Sequence, residues 1–296
     1  MKTITHILMA MLIFLLFGCR QSGHKKSSLK VLSDTSKAND YQKEQEYTKQ
    51  RMIVQEQEKL DSLRLEKILS DALKIAVQNI DKNKFYNSYE IFPDKLGAVK
   101  VEINLAYHFT ETNPHLIIRR NESANTYIDI FSKSNKQFTK VVSHQQWAMT
   151  YVNDTTRDIN GDGLKDFVVN WYGSNGCCLK AFSDVYLLRT NKTSFSSSFE
   201  FINPTFSPIE KIIRGVCYGH PGQTEMYKYK WNKETIDTLE YVSYEKDDKG
   251  VKTGKFIIST DVNYGGHYRI LKRLNSVPPE YKKIEGYDWF TGAGYD

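Results

Sequence analysis

The chain has 296 residues, of which 40% are hydrophobic and 13% aromatic, enough apolar material for one large domain or two small ones and too much for a wholly disordered chain. Its 19 Tyr and 15 Phe favour strands, and its 4 Cys exclude a disulfide-dense scaffold. The formal charge of +6 is mild for this length and does not demand a nucleic-acid partner.

The first segment, residues 1–18, has the organisation of a signal peptide. Lys2 precedes an unbroken apolar run from Ile7 to Phe17, which is shorter than the ~20 residues of a membrane-spanning helix. The run ends in Leu-Phe-Gly-Cys, which resembles the lipobox of bacterial lipoproteins, although Phe17 is bulkier than the usual small residue. The resemblance implies cleavage before Cys19 and acylation of Cys19, including a palmitate-type chain, which anchors the protein in a membrane. The alternatives are an uncleaved anchor and an ordinary secreted protein.

Residues 19–36 are polar, Ser-rich and basic, which is typical of a flexible tether. Some bacterial groups read an acidic stretch after the lipidated cysteine as a surface-export tag, and this chain is basic there. We therefore expect a lipid-anchored protein of the bacterial cell envelope, at the outer membrane and facing the periplasm.

Residues 37–85 are predicted to form one charged amphipathic helix, because they lack Gly and Pro and are rich in Lys, Glu, Gln and Leu. Apolar residues from Leu60 to Ile80 recur near i, i+3, i+4 and i+7, whereas the first half is weakly amphipathic. A coiled coil or other partner-binding helix over 38–82 is one interpretation, but the apolar stripe does not hold a strict heptad. We favour a solvated stalk whose second half packs on the following domain.

The remaining residues, 86–296, read as a β domain. After Pro93 the apolar period changes to two, and about a dozen short alternating runs follow between Val99 and Leu274, separated by polar turn residues. No helical run of ten residues interrupts 98–275, which argues against βαβ units. The fold class is therefore mainly β: an antiparallel meander, propeller-like or sandwich domain preceded by one long N-terminal helix.

One motif, residues 158–166 (Asp-Ile-Asn-Gly-Asp-Gly-Leu-Lys-Asp), places oxygen donors at alternate positions. The predicted calcium ligands are Asp158, Asn160, Asp162, the backbone carbonyl of Leu164, and Asp166. Ca²⁺ takes roughly six to eight oxygen ligands, and an EF-hand would add a Glu at the twelfth position, where this chain has Val169. The motif instead resembles the FG-GAP and integrin-type calcium loops that join two β-strands, which implies a structural Ca²⁺. The alternative is that Asp-Gly and Asn-Gly only form turns.

A wider resemblance covers residues 145–245. The calcium loop, a Tyr-rich segment at 183–188 and an aromatic-Asn-Pro turn at 201–206 follow one another as in calcium-binding periplasmic lysozyme-inhibitor-like proteins. The resemblance implies a protein partner, with a role as inhibitor or immunity factor against a cell-wall hydrolase. The segment Tyr172-Gly-Ser-Asn-Gly is a candidate contact loop, because a Gly-rich exposed loop fits an enzyme cleft.

The three cysteines that follow Cys19 permit at most one intramolecular disulfide. A bridge of Cys217 with Cys177 or Cys178 is the favoured pairing, a vicinal bridge is rarer, and three buried thiols are the alternative. No histidine lies in an HExxH motif or beside a GxSxG serine, and no phosphate-binding glycine motif occurs. We therefore expect surface or hydrogen-bonded strand histidines rather than catalytic ones, and no enzyme.

Three functions remain open at this point. The favoured one is a calcium-stabilised, non-catalytic envelope lipoprotein that binds another protein and no nucleic acid. The second is a structural module that oligomerises through the 38–82 helix. The third is an envelope glycoside or peptidoglycan hydrolase, which requires two opposed carboxylates in a cleft.

Overall fold

The structure, a computed structural model, describes residues 35–93, 96–176, 178–262 and 269–295, with the side chains of the first helix from Gln42 onward. The predicted signal peptide, Cys19 and most of the predicted tether lie outside the described residues. Two compact units divide the chain between Glu56 and Gln57. In the described part, no helix is both long and apolar enough to cross a membrane.

Helix α1 extends from Thr35 to Val77, which confirms the long N-terminal helix but ends it earlier than predicted. Its last turn tightens to i→i+3 hydrogen bonds, and the Asn79 side chain donates to the Ile75 carbonyl (2.9 Å), so orphan carbonyls of the helix end are satisfied. Side chains from Gln42 to Glu56 are exposed. The second half has a buried face made of Leu65, Ile68, Leu69, Ala72 and Ala76, and this face packs on the β domain as expected.

Fifteen strands in the described residues form three antiparallel sheets, so the mainly β prediction is confirmed. The first sheet contains β1 (Phe85–Ile91), β2 (Val99–Ala106), β3 (His115–Asn121), β4 (Asn125–Ser134) and β5 (Gln137–Trp147). The second contains β6 (Tyr151–Arg157), β7 (Asp166–Tyr172), β8 (Ala181–Tyr186) and β9 (Phe199–Ile202). The third contains β10 (Pro204–Ser207), β11 (Ile212–Val216), β12 (Met226–Asn232), β13 (Thr235–Lys246), β14 (Lys252–Ser259) and β15 (Ile270–Leu274). Within each sheet the strand order follows the sequence, so each sheet is a meander.

Four apolar clusters form the core, two of them between sheets, because successive side chains of a strand point to opposite faces. In β7, for example, Phe167 and Val169 pack against the first sheet, whereas Val168 packs against the third. The cluster between α1 and the first sheet includes Leu69, Ala72, Val101, Ile103, Leu116 and Ile118. The cluster between the first and second sheets includes Ile117, Ile128, Ile130, Phe167 and Val169. The cluster between the second and third sheets includes Val168, Val185, Ile213, Tyr227 and Trp231.

The fourth cluster covers the outer face of the third sheet with the C-terminal segment. A short 3₁₀ helix (Tyr281–Lys283) and α2 (Tyr287–Thr291) place buried Tyr281, Trp289 and Phe290 against Val216, Met226 and Val242. The buried aromatic residues of this segment are therefore part of the core.

Candidate functional site

The predicted calcium loop is the connection between β6 and β7. Arg157 pairs with Asp166 across the two strands, so residues 158–165 form the turn, in the context that the resemblance implied. Gly161 has a φ of 74°, and a Cβ built there would lie 2.0 Å from the carbonyl oxygen of Pro208. Glycine is required at this position, because the loop lies directly against the turn between β10 and β11. Gly163 also has positive φ (84°) but faces open space.

The acidic side chains of the loop turn inward to its own backbone. The Asp158 carboxylate accepts hydrogen bonds from Gly161 N (2.7 Å) and Gly163 N (2.9 Å). The remaining contacts tie the middle of the loop: Asp162 accepts from Leu164 N (2.8 Å) and Asn160 Nδ2 (3.1 Å), and Asn160 Oδ1 accepts from Asp162 N (3.0 Å). The side chains of Asp158, Asn160 and Asp162 are thus held within one turn.

Asp166 is the buried member of the loop, with 0% of its surface exposed. Its two carboxylate oxygens accept from Ile159 N and Leu188 N, both at 2.9 Å. Burial, together with the nearby Asp162 and Asp158 charges, raises the pKa of Asp166 to about 7, although the two backbone donors oppose the shift. A cation at the loop would relieve this unfavourable charge, because an opposite charge favours the ionised carboxylate.

Among the described residues, no group of three or more His, Cys, Asp or Glu side chains is gathered closely enough to hold a metal ion. The calcium loop would rely on donors of another kind as well, the Asn160 amide and the Leu164 carbonyl. Each carboxylate oxygen that accepts one hydrogen bond keeps a second lone pair for a ligand. The donor set therefore fits a hard cation, and calcium stays a prediction.

The predicted contact loop follows β7 and is exposed from Ser174 to Gly176. It is closed by a hydrogen bond from Gly173 N to the Lys180 carbonyl (2.9 Å). Three half-exposed tyrosines stand around it: Tyr172 (45% exposed), Tyr218 (51%) and Tyr295 (46%). A Cβ on Gly176 would lie 3.5 Å from Tyr218 Oη, and Tyr295 is near enough to Tyr172 for their hydroxyls to interact electrostatically. We call Tyr172, Ser174–Gly176, Tyr218 and Tyr295 the tyrosine surface.

A cleft of about 490 Å³ opens beside this loop, where the end of β5 meets β7 and β8. Its lining comprises Gln145, Gln146, Trp147, Thr150, Trp171, Gly173, Ser174, Asn175, Lys180 and Phe182. Trp171 and Phe182 stack with ring centroids 4.0 Å apart. Trp171 Nε1 donates to Asp184 (3.0 Å), and burial together with the Glu200 charge raises the pKa of Asp184 to about 6.

A second cleft, of about 750 Å³, lies between the C-terminal half of α1 and strands β4 and β5. Glu58, Asp61, Glu66 and Glu122 line it together with Arg120. Asp61 accepts hydrogen bonds from Gln57 (2.8 Å) and Arg64 (2.5 Å). A glycoside hydrolase site in this cleft would use two of these carboxylates as its catalytic pair.

Arg120 is buried beside this cleft and connects α1 to the first sheet. Its guanidinium donates to the Leu65 carbonyl (2.6 Å) and to Asp129 (2.7 Å). Asp129 is buried too and also accepts from Ser143 (2.9 Å), with Lys140 Nζ at 3.0 Å. The network compensates each buried charge, which a buried ion pair requires.

Among the described histidines, His115 and His144 are buried, His108 is half-buried and His220 is exposed. His115 Nδ1 lies 3.0 Å from the Asn113 carbonyl, and its ring packs edge-on against Phe109. Burial lowers the pKa of His115 to about 4, so the ring is neutral at physiological pH. His144 Nδ1 lies 2.9 Å from Tyr186 Oη, and burial lowers its pKa as well. Both are strand residues with a hydrogen-bond partner at Nδ1, as predicted, but Nε2 of each ring is buried without a partner.

The predicted disulfide is only partly described. Cys178 is buried, Cys217 is half-buried, and no disulfide joins these two cysteines. Cys177 lies outside the described residues, so its pairing with Cys217 stays a prediction. Cys19 is outside the described part of the chain as well.

The cleft beside the contact loop was not predicted from the sequence. Trp147 is the last residue of β5 in the first sheet, and Trp171 and Phe182 belong to the second sheet, so only the packing of the two sheets brings them together. The local signal was weak, because Trp147 lies beyond the alternating run that predicted β5.

No known protein family, curated protein or solved structure among those compared with the chain matches it.

Proposed function

We propose that the chain is a calcium-stabilised, non-catalytic lipoprotein of the bacterial cell envelope that binds another protein through the tyrosine surface. The observation that carries the proposal is the composition of this surface, which combines three exposed tyrosines with the Ser, Asn and Gly of one exposed loop. Tyr supplies large contact area at low entropic cost, and Ser, Gly and Asn supply adaptable hydrogen bonds, as in antibody loops.

The lipobox-like Leu-Phe-Gly-Cys ending at Cys19 supports anchoring at the outer membrane on the periplasmic side. The order of motifs over 145–245 supports an inhibitor or immunity role against a cell-wall hydrolase, because the contact loop follows the calcium loop and one strand. In this proposal the calcium holds the β6–β7 hairpin, and β7 carries the contact loop at its other end.

The test is inhibition of a purified lysozyme-type peptidoglycan hydrolase by the full chain. We expect dose-dependent inhibition that the double variant Tyr172→Ala, Tyr218→Ala lowers by at least about tenfold, because exposed aromatic anchors dominate interface energies. Tyr86→Ala is the matched control, since Tyr86 is 61% exposed on β1 and should leave inhibition unchanged. Equal inhibition by all three proteins would remove the tyrosine surface from the proposal.

The hydrolase alternative is favoured by one observation, the carboxylates of the 750 Å³ cleft. Release of soluble fragments from peptidoglycan by the full chain, with loss of release in Glu122→Gln, would replace the non-catalytic proposal. We expect no release above the background of the buffer.

The structural alternative rests on α1, whose exposed residues include Tyr47, Met52 and Ile53. Sedimentation of the full chain in detergent tests this alternative, because the double variant Met52→Glu, Ile53→Glu should dissociate a helix-mediated oligomer and lower its sedimenting mass. We expect the same mass for the two proteins.

A further inference from the structure

The cleft of about 490 Å³ at the junction of the first and second sheets is lined by aromatic residues that do not belong to the tyrosine surface. Its volume of about 490 Å³ falls within the range of small-molecule sites. Three aromatic side chains, Trp147, Trp171 and Phe182, share the lining with six polar side chains. Trp147 is 60% exposed, whereas Trp231 and Trp289 are buried.

The walls of this cleft are held in place before any ligand arrives. Trp171 is fixed on one side by stacking on Phe182, with 9° between the ring planes, and on the other by its hydrogen bond to Asp184. On the β5 side, Gln146 Nε2 donates to Thr150 Oγ1 (2.6 Å). Side chains that are already ordered lose little entropy when a ligand binds.

The next wall residue, Gln145, is fixed in the same manner, because its Nε2 donates to Asn125 Oδ1 (3.1 Å). The amides of Gln145 and Asn175 each offer both donors and acceptors. Lys180 is the only ionisable side chain among the described lining residues, so the cleft favours a neutral or anionic ligand over a cationic one.

We propose that this cleft is a binding site for a short oligosaccharide. A pyranose ring presents C–H groups of partial positive charge on its faces, and these are attracted to the negative face of an aromatic ring. Its hydroxyl groups both donate and accept hydrogen bonds, which matches the amide and hydroxyl groups of the wall. Indole faces therefore contact the C–H groups of a sugar ring, and the fixed amides beside them bind its hydroxyl groups.

A proline-rich peptide is the other ligand that aromatic grooves accept. Such grooves are lined mainly by aromatic ridges, whereas here polar side chains outnumber aromatic ones by six to three. The cleft is also bounded at one end by the contact loop, with Ser174 and Asn175 in its wall, rather than open as a long groove. The saccharide is the better match.

The test uses the full chain in detergent and four trisaccharides: chitotriose, cellotriose, maltotriose and trigalacturonate. We expect at least one to bind with a Kd of about 1 mM or lower, followed by tryptophan fluorescence and by NMR signals of the indole N–H groups. Trp147→Ala should weaken that binding at least about tenfold. Met149→Ala is the control, because Met149 is 79% exposed in the adjoining turn and does not line the cleft.

Two results would overturn the proposal: no binding of any of the four sugars up to about 10 mM, or equal binding by the wild-type and Trp147→Ala chains. Binding of a proline-rich decapeptide that depends on Trp147, without sugar binding, would overturn it in favour of a peptide groove. The cleft shares Ser174 and Asn175 with the tyrosine surface, but the saccharide proposal does not depend on a protein partner. Hydrolase inhibition and sugar binding are therefore both measured on the wild-type chain and on Trp147→Ala. Inhibition by the wild-type chain without sugar binding removes only the saccharide site, and sugar binding by the wild-type chain without inhibition removes only the protein partner.

Discussion

Removal of calcium should make the stability of the protein depend on pH through Asp166. In the metal-free protein the pKa of this buried carboxyl is raised from 3.8 to about 7. Each unit corresponds to about 1.4 kcal/mol, so the ionised carboxylate costs the metal-free fold about 4 kcal/mol at neutral pH. The fold holds this proton where the unfolded chain has lost it, so the contribution is complete below about pH 4 and is lost as the pH rises to about 7.

We expect calcium to reverse this loss, because a bound calcium ion would favour the ionised carboxylate and would stabilise the folded state by about 2.7 kcal/mol at a concentration of 100 Kd. The difference in the free energy of unfolding between calcium-loaded and metal-free protein should therefore be near zero at pH 4 and several kcal/mol at pH 7. Taking the difference cancels other titrating groups that do not contact the loop.

The assay is urea denaturation followed by circular dichroism, with and without calcium, across this pH range. Asp162→Ala should abolish the calcium effect, and Asp248→Ala, in the exposed turn between β13 and β14, should retain it. Equal unfolding free energies with and without calcium at pH 7 would refute the calcium loop and leave residues 158–166 as a turn. A full calcium effect in Asp162→Ala would refute the ligand assignment.

Three further predictions concern the packing around these sites. Gly161→Ala should destabilise the protein by several kcal/mol more than Gly163→Ala, because both positions have positive φ but only a Cβ at Gly161 meets backbone atoms. Thermal melting measures the difference, and equal melting temperatures of the two variants would contradict the packing of the loop. The wild-type protein should lose about 3 kcal/mol of unfolding free energy through His115 as the pH falls from about 6.5 to 4, because the folded pKa of about 4 lies below the unfolded one. His115→Phe should remove this loss, and an unchanged dependence of the unfolding free energy on pH in urea titrations would contradict it. Asp129→Asn should lower the free energy of unfolding by about 3–5 kcal/mol in denaturant titrations, because it breaks a buried ion pair. Asp81→Asn, in an ion pair whose side chains are over three-quarters exposed, should change it by less than about 1 kcal/mol. Similar losses in the two variants would contradict the buried network.

Strands could be predicted from the sequence where apolar and polar residues alternate strongly, and they could not be predicted where this alternation is weak. Val99–Ala106 alternates apolar and polar residues and is buried in the same rhythm, so its assignment followed from the sequence. Tyr151–Arg157 (Tyr-Val-Asn-Asp-Thr-Thr-Arg) is mostly polar and lacks buried positions, and it was missed because pairing with β7, not local pattern, makes it a strand.

The helix boundary shows the same limit. Neither Gly nor Pro follows Val77 before Pro93, and Lys and Gln are good helix formers, but the chain turns there and pairs Phe85–Ile91 with β2. The calcium motif was visible because its donors are consecutive in the chain. The aromatic cleft was not, because Trp147 and Trp171 meet only after two sheets have packed.

The meander order within each sheet has a consequence for how the protein matures. Every sheet is built from one uninterrupted stretch of chain, so its strand partners are near neighbours in sequence and the search for them is short. A polypeptide that crosses a membrane amino terminus first can therefore complete its sheets one after another as they emerge, without waiting for distant residues. The exception is the outer face of the last sheet, which stays uncovered until Trp289 and Phe290 arrive, so chains interrupted shortly before their end should be the ones that aggregate or are degraded.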